Sequence, residues 1–224
     1  MARNDLRTEA IVLRRTKYGE TDRILNLLTP LGLKSVIARG VRKEKSKLAG
    51  GIEMFCLSDV VIHEGKGDLG TLTSAKMLAF YQNIMKDLDR LELASTILKQ
   101  AARLADQIDT PDLFNLVKQD FEGLEHGFSP LLIESWHNLN FARLSGKDVN
   151  LLFDTTGAPL SPDQRYVWNA LDEALEPVAA GEIGASEIKL LRLMLVSDLR
   201  TVALVKNLDP LLPTVHHVAR RVAE

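Results

Sequence analysis

The chain has 224 residues, 46% hydrophobic and 26% charged, with 28 Lys/Arg, 30 Asp/Glu and a net charge of −2. That length supports one large or two modest domains with a buried core, and the composition is that of an ordinary globular protein. No apolar run approaches the ~20 residues of a membrane span, and residues 1–9, M-A-R-N-D-L-R-T-E, lack a signal-peptide core, so the cytoplasm is the expected compartment.

The first 76 residues read as strands. Ala10-Ile11-Val12-Leu13 is a short apolar run that ends in a charged turn, residues 14–22, containing Gly19. Residues 24–29 form a second run, cut by Pro30 and Gly32, and residues 33–38 a third. A loop over residues 39–51 leads to strands at 54–63 and 69–76, the last alternating Leu69, Thr71, Thr73, Ala75 against Gly70, Leu72, Ser74, Lys76. Five strands in so short a stretch suit a small Greek-key barrel of the OB type.

From Met77 onward the period changes from two to about 3.6. Leu88, Leu91, Ala94, Ile97, Leu98, Ala101 and Leu104 form one apolar stripe, and residues 112–124 and 131–144 give two further helices. Thr110-Pro111 and Ser129-Pro130 supply an N-cap followed by a proline tolerated in the first turn. Residues 145–160 are irregular. Ser161-Pro162 is then expected to open a helix through Leu175, and Ser186 a last long helix with Ile188, Leu191, Leu195, Leu199 and Val202 on one face. The fold class is α+β: a five-stranded OB-type barrel over residues 1–78, followed by an α-helical domain over residues 79–224.

Charge follows that division. Residues 1–50 hold 12 Lys/Arg against 5 Asp/Glu, and residues 77–185 hold 8 against 17. The densest cations lie after the third strand, where Val36-Ile37-Ala38 meets Gly40 and then Arg42, Lys43, Lys45 and Lys47 against the single acid Glu44. A strand that delivers a flexible cationic loop fits a polyanionic ligand, and Arg14, Arg15, Lys17 and Arg23 extend the charge beyond the loop. Tyr18 and Phe55 are the only aromatic residues of the barrel region short of its end, so contacts are expected to be mostly to phosphate and indifferent to sequence.

Other motifs carry little. Gly65-Lys66-Gly67-Asp68-Leu69-Gly70 matches G-x-G-x-x-G, but a dinucleotide site needs that loop to open a helix, and here it runs into an alternating, Thr-rich strand. It reads as a hairpin turn. His63, His126, His137, His216 and His217 show no metal-ligand spacing, and Cys56, alone in an apolar run, reads as a buried, inert thiol; no metal or cofactor is expected. No nucleophile elbow or paired carboxylates mark the chain as an enzyme.

The N-terminal blocks, taken in order, resemble the bacterial recombination mediator family RecO. They are Ala10-Ile11-Val12-Leu13, Tyr18-Gly19-Glu20-Thr21-Asp22-Arg23, Leu27-Leu28-Thr29 with Gly32, Ala38-Arg39-Gly40-Val41-Arg42-Lys43, Ser46-Lys47-Leu48-Ala49-Gly50, and Gly65 to Leu72. The resemblance covers about the first 80 residues. It implies an OB-fold that binds single- and double-stranded DNA, anneals complementary strands, and works with RecR to load RecA onto strands covered by single-strand-binding protein. Carried over by position, the DNA-contacting residues are Arg39, Arg42, Lys43, Lys45 and Lys47, flanked by Lys34 and by Arg14, Arg15 and Lys17. Many members carry a four-cysteine zinc module in the helical domain. This chain lacks those cysteines, and residues 149–160 are expected to be the relic of the module, held by packing instead of metal.

The expected function is therefore that of a non-enzymatic, nucleoid-associated mediator of DNA repair and recombination. The alternative is a helical interaction module whose OB-like domain binds an acidic protein. The resemblance also implies docking of the acidic, apolar-ended C-terminal tail of single-strand-binding protein. On a continuous helix at 100° per residue, Lys189, Arg192 and Arg200 fall at 0°, −60° and +20°, a cationic stripe beside Leu191, Leu195 and Leu199, which reads either as an ordinary solvated helix face or as the site for that tail.

Overall fold

The computed structural model describes residues 5–65, 67–147 and 149–224, and its contacts divide the chain into two compact units, one to Glu125 and one from His126. In the first unit, β1 (Asp5–Tyr18), β2 (Asp22–Thr29), β3 (Gly32–Ala38), β4 (Cys56–His63) and β5 (Leu69–Phe80) close a barrel in the order β1-β2-β3-β5-β4. This is the OB-type connectivity expected from the sequence. Closure falls to a short parallel seam, Ser35 to Leu69, Val36 to Gly70 and Ile37 to Thr71. Gly70 is required there, because a Cβ would lie 2.7 Å from Ile62 Cγ2.

Alternation places Ala10, Val12, Leu25, Leu27, Val36, Ala38, Val60, Ile62 and Leu72 inside the barrel. Val41 and Ile52, from the segment between β3 and β4, complete this core, so that segment plugs one end of the barrel. Gly51 lies directly over the backbone of Ala75, with its would-be Cβ 2.5 Å from the carbonyl oxygen. In β1 the register shifts between Val12 and Arg14. The bulge at Leu13 turns Arg14 outward beside Asn26 and Arg15 inward beside Leu25. The expected turn at residues 14–22 is therefore only Gly19 to Thr21, since β1 continues to Tyr18. The expected barrel boundary after residue 78 lies two residues short of the end of β5.

α1 (Leu88–Ala105) begins at Asp87, whose carboxylate accepts the Arg90 N–H at 3.0 Å, and buries Ala94, Ile97, Leu98, Ala101 and Leu104. Leu88, expected on that stripe, is exposed. α2 (Pro111–His126) follows Thr110, whose hydroxyl accepts the Asp112 N–H at 3.2 Å. α2 packs on the barrel: Phe121 meets Phe55 and Tyr81 edge-on at centroid separations of 5.8 and 5.6 Å, and Lys118 pairs with Glu9 at 3.0 Å. These contacts are why two helices share a unit with the strands.

In the second unit, α3 (Pro130–Leu144) is the buried centre. Ser129 occupies its N-cap position, but its side chain makes no capping hydrogen bond. The single long helix expected from Ser186 is two helices, α4 (Ala185–Val196) and α5 (Leu199–Ala203). Side chains of α3 take the last carbonyls of α4: Asn140 Nδ2 donates to Met194 at 3.0 Å, Arg143 to Leu195 at 3.2 Å, and Trp136 Nε1 to Ser197 at 3.0 Å. Those carbonyls end the helix, and Asp198 starts the next by accepting the Thr201 N–H at 2.7 Å. A further helix, α6 (Leu212–Ala223), packs its Leu212, Val215, Val218, Ala219 and Val222 face inward.

The helix expected over 161–175 is also absent. The structure has a hairpin there, β6 (Tyr166–Asn169) and β7 (Ala174–Pro177), because Tyr166 is fully buried and the Asn169 side chain accepts the N–H groups of Leu171 and Asp172 to make the turn. Residues 149–160 form a knuckle around Asp154, which accepts hydrogen bonds from the Thr156 hydroxyl (2.6 Å), the Thr156 N–H (2.8 Å) and the Ala158 N–H (3.1 Å). These bonds, the Thr156 hydroxyl first, hold the Asp154 pKa below the usual carboxylate range. Among the described residues no helix is long and apolar enough to cross a membrane, and no group of three His, Cys, Asp or Glu is arranged to hold a metal ion.

Candidate nucleic-acid interface

The cationic segment is hydrogen-bonded into the fold. It is a series of turns fastened to the tip of the β1–β2 hairpin. Asp22, at the start of β2, accepts the Gly40 N–H at 2.7 Å and the Thr21 hydroxyl at 2.9 Å. Gly40 has φ +63, a conformation glycine adopts without penalty, and this turns its N–H towards the carboxylate. Arg42 then donates its N–H to Thr21 O at 2.8 Å and its guanidinium to Gly19 O at 3.4 Å. Lys43 N–H to Gly40 O (3.1 Å) and Ser46 N–H to Lys43 O (3.0 Å) carry the turns onward. The Gly40 hydrogen bond, then the Thr21 hydroxyl, with smaller help from Arg39 and Lys43, lower the Asp22 pKa.

This fastening brings distant cations together. Lys17 and Arg23 are cross-strand neighbours on the hairpin, and the turns beside them expose Arg39, Arg42, Lys43, Lys45 and Lys47. Arg23 is half-buried, and none of the seven forms an ion pair among the described residues. A patch of exposed cationic heads on a hydrogen-bonded backbone can neutralise successive phosphates without first ordering the chain beneath them.

Three of the residues picked out by sequence are placed otherwise. Arg15 is committed to Glu53 at 2.8 Å and reaches Ile52 O at 3.5 Å. Lys34 is near the opposite end of β3 from Arg39, paired with Glu64 at 3.2 Å, where it lines an open polar cleft of about 410 Å³ with Asp68 and Gly70. Arg14, turned outward by the bulge, faces a separate cleft beside α1. Asp22, which fastens the turns, is the residue that charge counting missed. Its signal was an acid three residues after a turn glycine, in the Tyr18 to Arg23 block.

The Gly65 to Gly70 stretch joins β4 to β5 as an antiparallel hairpin and opens no helix, as expected, with Lys66 outside the described residues. In the second unit the proposed stripe is broken. Lys189 and Arg192 are on α4, but Arg200 is on α5, beyond the interruption at Ser197, so the 100° projection does not carry to it. Arg192 donates Nε to Leu151 O at 2.8 Å, and with Lys189 and Ile188 it borders a cleft of about 240 Å³ opposite Leu160, Ser161 and Pro162.

Comparison with known proteins agrees with the resemblance read from the sequence. Residues 1–81 match the family model for the recombination protein O N terminal domain. The chain is 37% identical over 145 residues to the DNA repair protein RecO of Dehalococcoides mccartyi, a stretch covering 64% of this chain and 57% of the relative. It is 36% identical over 144 residues to that of Rubrobacter xylanophilus (62% and 57%), and 39% over 101 residues to that of a Roseiflexus species (45% and 35%). The matched stretch thus spans a little over half the length of the first two relatives. The likeness to the RecO proteins is thus carried by the N-terminal region, where residues 1–81 match the family model.

Proposed function

We propose that this chain is a DNA-binding mediator of repair and recombination that anneals complementary single strands, and that it is not an enzyme. The observation that carries the reading is the cluster Lys17, Arg23, Arg39, Arg42, Lys43, Lys45 and Lys47, fastened to one end of an OB-type barrel by Asp22. Two strands with their phosphates neutralised on this patch repel each other less, which lowers the barrier to pairing. Duplex DNA, with the same phosphates, binds at the same patch.

On this reading the barrel, set by sequence at residues 1–78 and here continued to the end of β5, is the DNA-binding domain, and residues 79–224 supply protein contacts. RecR is the partner with which the chain would load RecA. The acidic tail of single-strand-binding protein would dock at Lys189 and Arg192. Residues 145–160 would be the relic of the zinc module, with the Asp154 hydrogen bonds in place of metal bonds. The setting for such work is the cytoplasm, on nucleoid DNA.

Annealing of complementary oligonucleotides by the purified chain, with and without single-strand-binding protein, is the direct test. Acceleration in both conditions is the expected result. DNA binding that is weak and unproductive, beside saturable binding of one acidic protein, would replace this reading with the interaction-module alternative.

A further inference from the structure

The outward turn of Arg14 has a counterpart on α1. Ser95, Leu98, Lys99, Ala102 and Arg103 recur at helical spacing on one face and, with Leu13, Arg14, Met54 and Phe55, line a cleft of about 370 Å³. That volume is within the roughly 300–1,000 Å³ of small-molecule sites. Its floor is apolar: Leu13, Met54, Phe55, Leu98 and Ala102. Its only charged lining residues are Arg14, Lys99 and Arg103, all exposed and without an ion pair among the described residues. No acidic residue lines it, in a chain where acids outnumber bases. The one hydroxyl, Ser95 Oγ, is already donated to Leu91 O at 2.7 Å.

We propose that this cleft is a second contact site for single-stranded nucleic acid, with Arg14, Lys99 and Arg103 holding backbone phosphates and the apolar floor taking an unpaired base. The inference rests on the reading of the barrel as a DNA-binding fold and extends it to a helix that the sequence marked only as packing. Lys99 and Arg103 are one turn apart, about 6 Å along the axis, close to two nucleotide rises of about 3.4 Å in a stacked strand. Phe55 is 8% exposed and packed edge-on to Phe121, so it is part of the floor and no stacking platform. Recognition there is accordingly indifferent to the identity of the base. A duplex offers no free base and gains only the phosphate contacts.

Continuity favours nucleic acid over the other ligand that shares this chemistry, an acidic peptide with an apolar side chain. Arg14 adjoins Arg15 on β1, and Lys17, three residues or about 10 Å along the strand, belongs to the hairpin-tip cluster. A strand leaving that cluster along β1 reaches the cleft next. Two sites on one barrel let a single chain hold two segments of strand at once.

The test uses the full chain with Arg14, Lys99 and Arg103 all changed to alanine, and a second variant, Ala102→Glu, that sets a carboxylate at the edge of the floor. Fluorescence anisotropy of a labelled single-stranded oligonucleotide is followed across salt concentrations. At about 0.7 per phosphate contact, the triple variant should flatten the log–log salt slope by about 2. Ala102→Glu should lower affinity several-fold with the basic turns intact. Arg14, Lys99 and Arg103 are exposed, so the melting temperature of the triple variant should be unchanged; Ala102 is half-buried, so Ala102→Glu is compared with the parent only after its melting temperature is measured, and Lys99→Glu alone serves if either variant fails to fold. A parent chain that does not bind the oligonucleotide overturns the DNA reading itself. A parent that binds, with both variants matching it in affinity and slope, overturns the cleft alone. Loss of binding to a labelled acidic, apolar-ended peptide, with oligonucleotide binding unmoved, assigns the cleft to a protein partner and also overturns the proposal.

Discussion

Replacing Arg42, Lys43, Lys45 and Lys47 together by alanine should remove sequence-independent DNA affinity in a quantity that can be worked out beforehand. The four side chains are exposed, and the backbone that carries them is held by Gly40, Arg42 and Lys43 main-chain N–H groups, so the turns survive the substitutions. With each single-strand phosphate contact contributing about −0.7 to the log–log salt slope, the variant should be shallower by about 2.8. Between 50 and 200 mM salt, a fourfold change, four such contacts account for about a 50-fold loss of affinity in the parent. The variant should escape that loss because it has already forfeited the contacts. The assay is anisotropy on oligonucleotides of unrelated sequence, with Lys34→Ala as the control. Lys34 is neutralised by Glu64 near the other end of β3, so its removal should leave the slope in place. A quadruple variant with the parental slope, or a Lys34→Ala variant that flattens it equally, refutes the assignment of the patch.

Asp22 holds the turns only while ionised. Its folded pKa is depressed, so the contribution is complete above the ordinary carboxylate value of about 3.9 and lost as pH falls through the lower folded value. Hydrogen exchange at the Gly40 amide should accelerate over that acidic window in the parent, and at neutral pH in Asp22→Ala; protection at Gly40 that survives in Asp22→Ala would exclude Asp22 as the fastener. Leu25→Ala, at a position with no exposure at the centre of the barrel, should cost about 2–5 kcal/mol in chemical denaturation. Asp198→Ala should cost about 1 kcal/mol, the usual loss of an N-cap, in the same measurement. Chelators should leave the melting temperature unchanged, and stoichiometric zinc in protein purified without added metal would overturn the view that residues 145–160 are held by Asp154.

The barrel was legible because its strands alternate cleanly and its turns carry Gly19, Pro30 and Gly32. The far end of β1 was not, since Arg14 to Tyr18 carry no aliphatic residue to mark an inner face, and the inward position beside Leu25 is taken by Arg15. The break between α4 and α5 is written on α3, in Trp136, Asn140 and Arg143, and no window over residues 186–205 contains it. The β6–β7 hairpin was overridden in the reading by Ser161-Pro162, a helix-start signal that here makes only a turn. α6 was missed, because the helix from Ser186 was read as the last one, although Leu212, Val215, Val218, Ala219 and Val222 recur at helical spacing. For the site, charge density located the basic turns, but which cations are available depends on Glu53 and Glu64, and those pairings exist only once the barrel closes. The link from Asp22 to Gly40 spans 18 residues and has the same dependence.

The parallel seam covers only the first part of β5, so from Thr73 onward one edge of that strand has no strand partner among the described residues. An unpaired edge is a template on which another chain can add a strand. Gly51 sits over that edge at Ala75, where even a methyl group would collide with the carbonyl. The segment that delivers the cations thus also lies against the strand at Ala75, where it should hinder such pairing. A larger residue at position 51 would lift the segment from the strand, and its first symptom would be concentration-dependent aggregation rather than weakened DNA binding.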